Sequence, residues 1–291
     1  MNLGNMDNST GGRPNQSPEA REFAQFAQFL QDACGISLGP NKQYLVSTRI
    51  RRVLDENNIE SLSELLKRLP QPSNTGLRKQ IIDAMTTNET YWFRDTYPYE
   101  YLKNSVIPEL IAGKQSRQEL RIWSAACSTG QEPYSLSMAI EEYKQKNMGY
   151  LPLPIRILAT DLSGVALALA ESGIYDKLSM ARGLTTERME KFFTPHTESS
   201  WRVKTEIKSR VSFRAINLLD SYQVLGKFDM IFCRNVLIYF DGELKRDIIS
   251  RLHAALNPKG LLCLGSSEGL SNAPDLFEMI QCNPGIMYRA K

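Results

Sequence analysis

The chain has 291 residues, 42% hydrophobic and 23% charged, a composition that is globular and long enough for one large and one small compact unit. No apolar run approaches the roughly 18 residues that span a bilayer, and the opening MNLGNMDNSTGGRPNQSP is polar, so a cytoplasmic protein with no direct membrane insertion is expected. The net charge of +3 is too small to point to nucleic acid, the five scattered cysteines hold no CxxC pair that would suggest a disulfide framework or a zinc site, and two histidines, His196 and His253, give hydrolase chemistry little support.

Residues 1–17 hold almost no apolar content and are expected to form a disordered tail. From Pro18 apolar residues recur at helical spacing: Phe23, Phe26, Phe29 and Leu30, then Val46, Ile50, Val53 and Leu54, then Leu62, Leu65, Leu66 and Leu69, then Leu77, Ile81, Ile82 and Met85. Punctuation at GISLGPN, at Asn57 and Asn58, and at PQPSN separates these groups and predicts a small all-α domain over residues 18–95, with a linking helix over 96–116. Beyond it, over residues 117–291, short β-type runs (LRIWSAA, IRILATD, VSFRAIN, FDMIFCR, GLLCLGS) alternate with helical segments, which predicts a Rossmann-like α/β domain with a parallel sheet. A polar, β-leaning stretch interrupts the alternation and predicts an inserted β-subdomain at about 174–212, and NPGIMYRA reads as a last strand after a hairpin-like connection.

In an open α/β sheet, ligands sit outside the carboxyl ends of the strands, so the residues after each strand carry the chemistry. After LRIW comes SAACSTGQEPYS, whose small residues let a backbone approach a ligand and whose Glu132 opens a helix; an acid there disfavours a phosphate and suits a cationic ligand. After IRILA comes Asp161, placed to accept hydrogen bonds from ribose hydroxyls. Two further strand ends carry Asn217, and Arg234 with Asn235. Taken singly, each is an ordinary cap or turn residue. Their common register at four strand ends points to a nucleoside site.

The strings SAACSTGQEPYS, ATDLS, NLLDS and FCRNVLIYFD, with TTNETYWFRD upstream, resemble the signature segments of the chemotaxis receptor methyltransferase family, CheR, over nearly the whole chain after residue 18. The resemblance implies a helical N-terminal domain that recognises the receptor, and a class I methyltransferase domain with an inserted antiparallel β-subdomain. It implies S-adenosyl-L-methionine as cosubstrate, S-adenosyl-L-homocysteine as product, and transfer of a methyl group to glutamate side chains of chemoreceptor cytoplasmic domains. It further implies cofactor contacts from Asn88, Thr90, Arg94, Glu132, Asp161, Asn217, Leu218, Arg234 and Asn235, and places Arg94 and Tyr239 near the reacting centre. Without the resemblance, Tyr239 reads as a core aromatic and Arg94 as a surface partner of Asp95; Tyr91, Trp92 and Phe93 read either as an apolar lining or as packing between domains. No metal is implied.

A glutamate is already ionised at neutral pH, with a pKa of about 4.3, so a methyl sulfonium needs no general base to transfer its methyl to it. Positioning is the catalytic work. At 100° per residue, Lys42, Arg49 and Arg52 fall within about 80° of one another and form a basic strip suited to acidic methylation helices. One departure from enterobacterial members is Asp55, where they have a further basic residue. Members that dock a receptor's C-terminal pentapeptide have a glycine-rich loop of the type RGxG; KFFTPHTESSWRVKTEI lacks it, so a pentapeptide-independent enzyme, acting as a monomer, is expected. The alternatives are a degenerate fold that binds the cofactor as a regulatory ligand, and a small-molecule carboxyl methyltransferase.

Overall fold

The computed structural model describes residues 17–112, 119–149, 151, 154–270, 273 and 275–291. The tail expected over residues 1–17 lies outside the described residues except for Ser17. Four helices come first: α1 (Pro18–Cys34), α2 (Gln43–Glu56), α3 (Leu62–Arg68) and α4 (Thr75–Met85). The Ser17 hydroxyl accepts the Ala20 N–H to start α1, and Gly35, at φ 77°, ends it by returning its N–H to the Gln31 carbonyl. Phe26, Leu30, Ile50, Leu65 and Ile81 are fully or almost fully buried in one core, the stripe that the helical spacing predicts. Each such side chain contributes roughly 1.5–3 kcal/mol.

This unit closes at Met85, earlier than the expected residue 95. From Thr86 the chain leaves the helix, and Trp92 and Phe93 join the core of the larger domain instead. The expected linking helix is α5 (Tyr97–Tyr101), one π turn (Leu102–Val106) and α6 (Ile107–Ala112); the remainder of its range, 113–116, lies outside the described residues. Tyr99, Leu102 and Ile107 are buried, so this run is a layer of the larger domain rather than a free connector.

The rest of the chain is β1 (Leu120–Ala125), α7 (Gln131–Lys146), β2 (Ile155–Asp161), α8 (Gly164–Ser172), β3 (Ile174–Asp176), α9 (Lys177–Met180), α10 (Thr186–Phe192), β4 (Phe193–Thr197), β5 (Ser200–Val203), α11 (Thr205–Lys208), β6 (Val211–Ala215), β7 (Phe228–Cys233), α12 (Gly242–Ala255), β8 (Leu256–Leu264), β9 (Phe277–Cys282) and β10 (Gly285–Ala290). Seven of the strands form one sheet in the order β6-β2-β1-β7-β8-β10-β9, parallel except for β10, which runs antiparallel to both neighbours. Every residue of β7 is buried, as a central parallel strand covered on both faces requires. β9 is a strand that the sequence reading missed.

The inserted antiparallel sheet, β3-β5-β4, ends at Val203, short of the expected 212. Val211 and Ser212 pair with Ile157 and Leu158 of β2 and so belong to the large sheet. Trp92 locks the insert to the turn before α5: its ring meets Tyr175 and Phe193 edge-on at 4.8 and 5.2 Å, its Nε1–H donates to the Ser179 carbonyl at 3.0 Å, and its backbone N–H donates to the Arg182 carbonyl. Among the described residues no helix is long and apolar enough to cross a membrane, and no cluster of His, Cys, Asp and Glu is arranged to hold a metal.

Gly183 lies against this joint at φ 87°, and a Cβ there would sit 2.0 Å from the Trp92 carbonyl oxygen. Gly183→Ala is therefore expected to destabilise the fold by about 1–3 kcal/mol, read as a lowered midpoint in thermal unfolding.

Candidate functional site

The sheet order reverses between the neighbours β1 and β7, which opens a crevice at their carboxyl ends. The loop after β1 turns sharply through left-handed residues Ala126, Ser128 and Gly130. Gly130 must be glycine, because a Cβ would lie 2.8 Å from that of Ala170 as well as at φ 94°. Asp161, at the end of β2, is buried and holds two loops together: one carboxylate oxygen accepts the Ser128 N–H at 2.7 Å, the other the Ser163 N–H at 2.8 Å. Burial raises its pKa above the ordinary carboxylate value against the pull of these amides. The Ser128 hydroxyl donates to the Asn88 carbonyl at 2.8 Å and fixes the segment that leaves the helical domain.

At the end of β7, Arg234 has a side chain only 2% exposed. Its Nη1 donates to Glu132 at 3.2 Å, and its Nη2 to the Asp95 carboxylate and to the Arg94 carbonyl. The other Glu132 oxygen accepts from the Ser124 hydroxyl at 2.7 Å. Burial opposes the guanidinium's charge, yet its surroundings, Glu132 and Asp95 among them, raise its pKa above that of a free arginine. Arg234 thus ties β7, the start of α7 and the turn before α5 to one cation. Phe93, Asp95 and Thr96 in that turn have φ values of 49°, 65° and 48°, conformations that non-glycine residues hold only when neighbours over-determine them.

Because Asp95 is taken by Arg234, it does not pair with Arg94. Among the described residues no acid lies within ion-pair distance of the Arg94 guanidinium, which sits 5.3 Å from the centre of the Tyr91 ring. Of the three neighbouring aromatics, Tyr91 lines the crevice, whereas Trp92 and Phe93 are core residues.

The crevice is a cavity of about 350 Å³. Its lining brings together Asn88, Thr90 and Arg94 from the segment before α5, Glu132 and Asp161 from the first two strand ends, Asn217 and Leu218 after β6, and Arg234, Asn235 and Tyr239 after β7. The helical domain supplies the remaining wall through Ile36, Leu38, Lys42 and Arg49. Three contacts seat that wall: Asn217 Nδ2 donates to the Ala33 carbonyl at 2.8 Å, the Ser37 N–H to the Tyr239 carbonyl at 2.9 Å, and Gln31 Nε2 to Asp241 at 2.9 Å. The Tyr239 hydroxyl has no hydrogen-bond partner among the described residues.

The three cations of the expected basic strip separate. Lys42 is exposed at the rim. Arg49 reaches inward, where Nη1 donates to the Met85 carbonyl at 2.7 Å and Nη2 to the Thr87 hydroxyl at 3.0 Å, so it braces the segment leading to Asn88. Arg52 does not line the cavity; its side chain is 87% exposed and pairs with Glu56, one turn along. Two contributors were missed in the sequence. The GISLGPN break, read only as punctuation, supplies a cavity wall, and Glu268 in GSSEG, at the end of β8, bonds to the β7 loop; reading a fifth strand end would have found it.

Replacing Arg234 by methionine leaves Glu132 and Asp95 without their cation, and the variant is expected to lose about 3 kcal/mol in equilibrium urea unfolding. Arg94→Met, which breaks no ion pair, is expected to stay within about 0.5 kcal/mol of the parent.

Residues 21–86 match the CheR methyltransferase all-alpha domain, and residues 88–286 the CheR methyltransferase SAM binding domain. The chain is 57% identical over 270 residues to chemotaxis protein methyltransferase 1 of Pseudomonas aeruginosa and 56% identical over 270 residues to chemotaxis protein methyltransferase Cher2 of Pseudomonas putida, covering in each case 93% of this chain and 98% of the relative. It is 47% identical over 271 residues to chemotaxis protein methyltransferase 1 of Vibrio cholerae, covering 93% and 97%. Two acids, Asp161 and Glu132, and the guanidinium of Arg94 line the same cavity. The chain belongs to the CheR methyltransferase family, an all-α domain followed by a class I methyltransferase domain that uses S-adenosyl-L-methionine.

Proposed function

We propose that the protein methylates glutamate side chains in the cytoplasmic domains of methyl-accepting chemotaxis receptors, acting as a cytoplasmic monomer with no role for nucleic acid or a metal. The observation that carries this reading is that one cavity is lined by Arg94, with no acid in ion-pair range, and Tyr239, whose hydroxyl has no hydrogen-bond partner, both among the described residues, beside the acids Glu132 and Asp161. When bound, S-adenosylmethionine supplies an activated methyl group, whose transfer to a carboxylate forms one C–O bond, breaks one C–S bond and leaves no proton to move.

The chain's own work is to bind and orient. Asp161, fixed by two backbone amides, accepts the ribose hydroxyls, while Asn88, Thr90, Asn217, Leu218 and Asn235 form the remaining cofactor contacts. Arg234 acts from behind Glu132 and holds its carboxylate toward the ligand's cationic end. Arg94 pairs with a carboxylate, and the Tyr239 hydroxyl orients the attacking oxygen. Carboxylate and sulfonium neutralise each other as they react, so walls such as Ile36, Leu38 and Tyr91 favour the step by excluding water.

Lys42 and Arg52 steer the acidic methylation helix toward the cavity mouth, and Arg49 shapes the mouth from within. The strand pair β4–β5, without a glycine-rich loop between its strands, supports direct recognition of the receptor over docking of a C-terminal pentapeptide.

Methyl transfer from labelled cofactor to receptor cytoplasmic fragments, followed by mild alkali, is expected to release volatile methanol. Label that stays bound, or no label on any receptor fragment, would sink the proposed substrate. Arg94→Ala is expected to lower kcat about a hundredfold and Tyr239→Phe about tenfold. Reversing charge at Lys42 and Arg52 should raise the receptor KM in a salt-dependent way and leave kcat intact. Asp161→Asn should weaken S-adenosylhomocysteine binding by about tenfold in calorimetry, because its amide presents a donor where backbone and ribose donors need an acceptor.

A further inference from the structure

Asn235 and Tyr239 reach the cavity on one short loop, and that loop carries few internal bonds. Asn235 itself is left-handed at φ 58°, and a single 3-10 turn, Leu237–Tyr239, follows it. The free amides at the start of such a turn need an acceptor. Glu268 supplies it from the end of β8. One carboxylate oxygen accepts the Asn235 N–H at 2.7 Å and the Gly265 N–H at 2.8 Å, and the other accepts the Ile238 N–H at 3.3 Å.

The carboxylate is itself held in place. The Glu268 N–H donates to the Gly265 carbonyl at 2.9 Å, so Gly265 and Glu268 close a tight turn. Gly265 also lets the two strand ends approach: a Cβ there would lie 2.7 Å from Asn235 Nδ2 and 2.9 Å from the Asn235 nitrogen. Hydrogen bonds from neutral amides to a carboxylate are about twice as strong as those to a neutral acceptor.

We propose that Glu268 is a positioning residue for methyl transfer: its carboxylate sets the loop that carries Asn235 against the cofactor and Tyr239 against the nucleophile. The proposal rests on the functional reading above. Glu268 does not line the cavity; it acts through the loop's backbone.

The test compares wild type with Glu268→Met, which keeps the side chain's length but has no acceptor, and Glu268→Gln, which keeps one oxygen for the amides of Asn235 and Gly265. Both are measured by calorimetry with S-adenosylhomocysteine and by initial rates on receptor fragments, at a temperature where circular dichroism shows each variant folded. Glu268→Met is expected to raise the Kd about tenfold and lower kcat about tenfold with an unchanged receptor KM, and Glu268→Gln to recover both to within about threefold of wild type. A folded Glu268→Met protein with wild-type Kd and kcat, altered only in its unfolding midpoint, overturns the proposal. If Glu268→Met does not fold, Glu268→Asp, which withdraws the carboxylate by one methylene, takes its place, and wild-type Kd and kcat in that variant overturn it equally. A wild-type protein that neither binds S-adenosylhomocysteine nor labels a receptor fragment defeats the functional reading itself, whereas a normal wild type with an unaffected variant defeats only the role of Glu268.

Discussion

The architecture of the cavity depends on one buried cation. Arg234 is enclosed at the end of the central strand β7, where an unpaired guanidinium would be prohibitive, and two acids from different segments converge on it. Its partners are distant in sequence: Asp95 sits in the turn before α5 and Glu132 at the start of α7. Neutralising Arg234 therefore fixes the relative position of three segments that each contribute to the cavity. The same contacts hold the left-handed residues of the turn, whose conformations have no local reason to persist.

From that floor the other walls follow by backbone contacts more than by side-chain packing. Asp161 joins the loops after β1 and β2, and Ser128 passes the tie on to Asn88. On the far side, the end of α1 and the residues after it contact Asn217, Tyr239 and Asp241. Gly35 permits this approach, since a Cβ would lie 2.6 Å from a Leu244 methyl. The helical domain is thus part of the site, and Arg49 extends the same role by bonding to the carbonyl of Met85 at the end of α4.

Periodicity made the helices and most of the strands legible. Phe26, Leu30, Ile50 and Ile81 are buried because helical spacing puts them on one stripe, and β1, β2, β7 and β8 lie where short apolar runs fall between turns. Two boundaries were misplaced, for a single reason: residues 86–95 and 211–212 are adjacent in sequence to one unit and packed in another, and that choice is made by Trp92 against Tyr175 and by Val211 against Ile157. The ten residues expected at the cavity from strand ends and family motifs line it together, and of the basic strip Lys42 and Arg49 line it as well while Arg52 does not. What sequence could not supply was the pairing. Asp95 next to Arg94 invites a local ion pair, but the turn between them points the acid at Arg234, 139 residues away. β9 was missed because its pattern, FEMIQC, buries only its two ends and belongs to an edge strand.

That pairing also decides the charge the cavity offers. Arg234 faces both Asp95 and Glu132, so one positive charge meets two negative ones and the floor keeps a surplus of one negative charge. Had Asp95 paired with Arg94 instead, the Arg234–Glu132 pair would be neutral and no guanidinium would be left for a carboxylate. The observed arrangement separates the two signs, an acid surplus at the floor and, at the wall, the cation of Arg94, which has no acid in ion-pair range among the described residues. A ligand with a sulfonium and a carboxylate at different points matches that separation, whereas a phosphate-bearing nucleotide meets the acid surplus with its own negative charge. The distribution of charge around the cavity therefore depends on which of two arginines, Arg94 or Arg234, the carboxylate of Asp95 pairs with.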